Sequence, residues 1–179
     1  MVTITEERVA FRQRALAKHA RTVAADAERL VRSHFGHLPP IKVVLTGDSN
    51  HLAKVASQAE LDLVPGVPAL NKVLGMRKAR RNARGVYGVT VLTDPGVLIV
   101  VNLTKAATKK DVNEVLVHEL THGHQLGDPA SREQQLAYMR HEFDVAKLRR
   151  REVRQIEALI ERREVEARQA ESLASRLPI

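Results

Sequence analysis

Leu16, Ala20, Val23, Ala27 and Leu30 recur at steps of three and four residues, which draws one apolar stripe along a helix. Residues 5–35 hold no Pro or Gly, and Thr3 with Glu6 has the spacing of a capping box, so a helix over 5–35 is expected. Gly36 and Pro39-Pro40 end it. Ile41 to Thr46 then reads as a strand, and Gly47-Asp48-Ser49 as a turn that caps a helix at about 50–60. Pro65-Gly66 and Pro68 break the chain, and 69–82 follows as a weakly patterned helix.

Residues 86–93 and 97–103 are rich in β-branched residues, with Asp94-Pro95-Gly96 between them, and predict a hairpin. Thr108 with Asp111 forms another capping box, which opens a helix over 109–126 carrying Val112, Val115, Leu116 and Leu120. Gly127 and Pro129 stop it. Ser131 with Gln134 caps the next helix, and from there to Leu177 the chain lacks Pro and Gly, which predicts one unbroken helix of roughly 45 residues. Its second half is strongly charged, and the N-terminal helix is a natural partner for it. The expected organisation is one α+β domain over 1–179. It has an N-terminal helix (1–38), a core (41–145) with a small sheet and an antiparallel helix hairpin, and a helical C-terminal extension (146–179).

Composition narrows the chemistry. The 179 residues include no Cys, which removes disulfides, thiol nucleophiles and thiolate metal sites. Five aromatic residues (Phe11, Phe35, Tyr87, Tyr138, Phe143) are too few for a base-stacking platform. No signal core or spanning segment is visible, so a cytoplasmic protein is expected, with a virion or injected protein equally compatible. The net charge of +8 is concentrated in two runs, 77–84 and 147–154. Such runs can neutralise phosphates, although nucleic acid is not the favoured partner, and the long charged helices also suit a protein partner. No membrane is expected among the partners.

The chemistry sits on the 109–126 helix. His118-Glu119-Leu120-Thr121-His122 is a His-Glu-x-x-His motif. The four-residue step puts both imidazoles on one helix face, within reach of one zinc ion. Glu119 is then placed to take a proton from zinc-bound water as it attacks a carbonyl. The bland alternative is a pair of surface histidines on an amphipathic helix. His124 and His141 flank the motif, Tyr138 could donate to an oxyanion, and Asn113 or Glu114 could hold a histidine ring nitrogen.

With its hairpin, motif helix and following Glu-rich helix, the chain resembles the zincin metallopeptidases over about 85–145. Among them it is most similar to the gluzincins, including their minimal single-domain members. The resemblance implies a zincin-like fold and Zn2+ held by His118, His122 and a Glu of a later helix. It also implies Glu119 as general base and an edge strand that aligns a peptide substrate. Three carboxylates compete for third ligand. Glu142 is first: nineteen residues separate it from His122, and an antiparallel hairpin puts it level with His118. Glu164 is the alternative. It sits in Glu164-Val165-Glu166-Ala167, similar to the Glu-x-x-Ala of ligand-bearing gluzincin helices, but serves only if the chain folds back near 148–155. Asp128, six residues past His122, is third. The expected function is zinc-dependent peptide hydrolysis. The competing expectation is a non-catalytic assembly or nucleic-acid-associated protein with a structural or vestigial zinc site.

Overall fold

The structure, a computed structural model, describes residues 2–179. Its elements are β1 (Val2–Glu7), a 3-10 turn (Phe11–Gln13), α1 (Arg14–Phe35), β2 (Ile41–Thr46), α2 (Ser49–Leu63) and α3 (Ala69–Ala83). Then follow β3 (Gly88–Leu92), β4 (Val97–Asn102), α4 (Lys109–Gly127), α5 (Pro129–Glu142), α6 (Arg150–Ala170) and a second 3-10 segment (Glu171–Arg176). The strands form one mixed sheet in the order β1-β2-β4-β3. β1, β2 and β4 run parallel, and β3 returns antiparallel to β4, as the Asp94-Pro95-Gly96 turn predicts.

Side-chain alternation divides the core into two layers. Val43, Leu45, Val97, Ile99 and Val101 point to one face of the sheet and pack with α1, α4 and the C-terminal segment. Val44, Leu98 and Val100 point to the other and pack with Leu52, Ala53 and Ala56 of α2 and Ala83 of α3. β4 is therefore buried on both faces, which is why Val97 to Val101 is a continuous apolar run instead of an alternating one. Ala17, Ala20, Ala24 and Ala27 are buried on α1, whose packing against α4 is the most extensive helix–helix contact. The small side chains let the two backbones approach closely.

Three sequence expectations need correcting. The helix expected over 5–35 begins only at Arg14. Val2-Thr3-Ile4-Thr5 alternates with period two and pairs with β2, so Thr3 and Glu6 lie on a strand and cap nothing. α5 is capped by Asp128, whose carboxylate accepts from the Ser131 N–H at 2.8 Å, and not by Ser131. The expected 45-residue helix is broken over 143–149, with Asp144 in the left-handed region at φ 62°. The chain reverses there and α6 returns antiparallel along α4, which is its partner in place of α1. Asn113 Nδ2 extends this pairing by donating to the Pro178 carbonyl at 3.0 Å.

The Thr108–Asp111 capping box is present, with both reciprocal bonds formed (2.9 and 3.1 Å), and it fixes the start of the motif helix. No helix among the described residues is long and apolar enough to cross a membrane.

Candidate metal centre

α4 carries His118 and His122 one turn apart on the side facing α6. Their Nε2 atoms are 3.1 Å apart. From α6, Glu164 brings Oε2 to 3.3 Å from His122 Nε2 and 3.8 Å from His118 Nε2. These three side chains form a group that could hold a metal ion.

The hydrogen-bond partners on the far side of each ring assign the tautomers. His118 Nδ1 lies 2.8 Å from Glu171 Oε1, a carboxylate oxygen placed to accept from it. His122 Nδ1 lies 2.8 Å from Gln125 Oε1. The amide orientation of Gln125 is fixed in turn, because its Nε2 donates to Glu166 Oε2 at 2.6 Å and to the Arg163 carbonyl at 3.1 Å. Both imidazoles can thus donate from Nδ1, and a neutral ring that does so turns its Nε2 lone pair inward. Glu164 Oε2 adds a third acceptor, while Arg168 holds Oε1 of the same carboxylate at 3.1 Å. With both rings neutral in this form, three lone pairs converge and repel one another unless a cation lies between them. Tetrahedral zinc at bond lengths of about 2.0–2.1 Å separates its ligand atoms by about 3.3–3.4 Å, close to the spacings found here.

Glu119 lies beside this group, almost fully buried on the β3 side of α4. The Thr90 hydroxyl of β3 is 2.7 Å from Glu119 Oε2 and 3.0 Å from its carbonyl oxygen. Burial pushes the Glu119 carboxyl above its ordinary pKa, the neighbouring His122 and His118 rings and the Thr90 bond pull it back, and the Glu164 carboxylate pushes it up again. The carboxylate fits because position 88 has no side chain: a Cβ on Gly88 would lie 2.7 Å from Glu119 Oε1 and 2.9 Å from its Cγ. A cleft of about 640 Å³ opens over the site. The segment 85–90 forms one wall and side chains of α4 and α6 form the others. Among the described residues β3 pairs only with β4, which makes it the edge strand of the sheet beside this wall.

No protein-family model, curated protein or solved structure significantly matches the chain.

The structure does not bring every candidate to the site. Glu142 ends α5 with its carboxylate 3.7 Å from Lys78 Nζ, away from the histidines. Because the chain reverses at 143–149, the carboxylate that meets His118 and His122 comes from α6, and it is Glu164. Asp128 is exposed and occupied as the α5 cap, where its bonds to Ser131 lower its pKa. His124 bonds the His37 carbonyl at 2.8 Å and stacks on Phe35. His141 accepts from the Leu148 N–H in the reversal. Tyr138 shares a hydrogen bond with Glu157, and burial and nearby Glu142 and Glu157 raise its pKa. Asn113 bonds His19 and Pro178, and Glu114 lines the cleft while pairing with Lys110.

The residues that orient the histidine rings are Glu171 and Gln125, and sequence reasoning did not select either. A spacing signal was available for both. Gln125 is three residues from His122 on one helix, and Glu171 is seven from Glu164, two turns along one face. Partners of this kind are worth about 10–100-fold in metal affinity. Glu171→Ala is accordingly expected to weaken divalent-metal binding by roughly that factor, read by competition with a chromophoric chelator, with an unchanged circular dichroism spectrum.

Proposed function

We propose that the chain is a zinc-dependent metallopeptidase of the gluzincin type, with His118, His122 and Glu164 as ligands. The convergence of two Nε2 atoms and a carboxylate oxygen carries this reading. Zinc, when bound, would supply Lewis-acid polarisation of a carbonyl and acidify the attacking water. Glu119 takes the proton of that water, and burial suits it to the task, since a base with a raised pKa holds the proton long enough to pass it to the leaving amine. Thr90 aims the carboxylate, and the free edge of β3 offers backbone N–H and C=O groups to an extended peptide.

Zinc-loaded protein is expected to cleave casein, a protein with little fixed structure. Treatment with 1,10-phenanthroline should abolish the cleavage, and added zinc should restore it. Cleavage that persists in the zinc-stripped protein would overturn the assignment. Stoichiometric zinc binding without cleavage of casein or of a randomised peptide library would leave the site structural and refute the peptidase reading.

A further inference from the structure

The two basic runs, some seventy residues apart in sequence, flank one junction in the fold. α3 is joined to the α5–α6 reversal by three contacts. Asn71 Nδ2 donates to the Phe143 carbonyl at 3.1 Å. The Phe143 ring lies against Gly75, where a Cβ would meet Cε1 at 3.5 Å. Lys78 pairs with Glu142 at 3.7 Å. From this junction the first run (Arg77, Lys78, Arg80, Arg81, Arg84) continues along α3. The second (Lys147, Arg149, Arg150, Arg151, Arg154) follows the reversal into the first turns of α6, where the Leu148 N–H returns to His141. All ten cations are exposed. Among the described residues only Lys78 and Lys147 of the ten form ion pairs.

The second run is placed against its own helix. Cations favour helix C-termini and carboxylates favour N-termini. Arg149, Arg150, Arg151 and Arg154 crowd the N-terminal turns of α6, where Glu152 is the only acid. Dipole and mutual repulsion both make this arrangement unfavourable for the isolated fold, so helix stability does not account for it. On α3, Arg77, Arg81 and Arg84 recur at steps of four and three and line one exposed face over about 10 Å.

We propose that the two runs, on either side of this junction, together bind the phosphate backbone of a nucleic-acid duplex. Regularly spaced phosphates, one per ~3.4 Å of each strand, match a row of guanidinia without needing any acid or apolar partner among them. A single strand is a poorer fit, because no aromatic ring lies in either run for bases to stack on. An acidic protein is the competing occupant, and the poly-glutamate arm of the test below distinguishes it. The proposal is independent of the peptidase reading, as neither run contributes a residue to the metal group.

The test is fluorescence anisotropy of a labelled 20-base-pair DNA duplex against the full chain, repeated across salt concentrations and with an RNA duplex. Contact with five or six phosphates gives a log–log salt slope of about −5. Arg77→Gln/Arg81→Gln/Arg84→Gln should weaken binding at least tenfold and flatten the slope by roughly 2.7, at about 0.9 per lost contact. Arg150→Gln/Arg151→Gln/Arg154→Gln should do the same from the other run. Arg12→Gln/Lys18→Gln/Lys54→Gln, which removes equal charge from exposed positions elsewhere, should leave affinity within twofold. Equal loss in that control would reduce the effect to net charge and overturn the proposal. So would wild-type binding by either run variant, or tighter binding to poly-glutamate than to both duplexes. Tighter binding of the DNA or of the RNA duplex identifies which nucleic acid the face serves.

Discussion

Glu164→Ala is expected to abolish stoichiometric metal binding, whereas Glu142→Ala is expected to retain it. The two variants separate the carboxylate that the fold brings to the histidines from the one that sequence spacing favoured. Glu164 Oε2 lies 3.3 and 3.8 Å from the two Nε2 atoms, while Glu142 is held by Lys78 on the far end of α5. Removing a direct ligand should cost more than the ~100-fold upper range for an orienting partner. The loss is therefore expected to exceed ~100-fold, read by metal analysis of purified protein and by isothermal titration with zinc. Neither variant should unfold the chain, since the Glu164 side chain is 38% exposed and that of Glu142 48%. Metal retained by Glu164→Ala and lost by Glu142→Ala would reverse the assignment. Wild-type protein that binds no metal would leave the group as an imidazolium–carboxylate cluster. In that case at least one ring would carry a proton on Nε2 as well as on Nδ1 and donate it across the 3.1 Å gap between the two rings.

The contrast between these two glutamates marks where the sequence was legible. The motif helix could be read with its cap because everything that defines it is local: Thr108 and Asp111 at the start, Gly127 at the end, and two histidines at a helical step. The β3–β4 hairpin was legible for the same reason, with its turn residues between two β-branched runs. The reversal at 143–149 was not. It uses no Gly or Pro, and it depends on Asn71 and Gly75 of a distant helix accepting Phe143, together with a left-handed Asp144. A long-range contact of this kind leaves no periodic trace. Missing it moved Glu164 about 33 Å away along an imagined straight helix and left Glu142 as the nearest carboxylate. The error at β1 has the same origin. Thr3 and Glu6 satisfy a local capping rule, but pairing with β2 outweighs it.

Glu119→Gln should lower peptide hydrolysis by about 10²–10⁴-fold, the usual contribution of a positioned general base, while zinc content stays at the wild-type level. In activation terms this is about 2.7–5.4 kcal/mol at 1.36 kcal/mol per decade. The two readouts separate because Glu119 is not one of the three side chains grouped around the Nε2 atoms; it lies on the β3 side with Thr90. Gln keeps the shape that the space above Gly88 admits, and its amide oxygen can still accept from the Thr90 hydroxyl, so folding should be preserved. It also removes a carboxylate that burial disfavours, so thermal stability should hold or rise slightly. The substrate affinity of the variant, measured as KM on a cleavable peptide, should change little, because the loss belongs to proton transfer and not to binding. Gly88→Ala offers the complementary perturbation. It leaves the base chemically intact but drives a methyl group into its carboxylate, so kcat should fall without loss of zinc. Undiminished turnover in Glu119→Gln would remove Glu119 from the chemistry. Undiminished turnover in Gly88→Ala would show that the base does not depend on its fixed position between α4 and the edge strand.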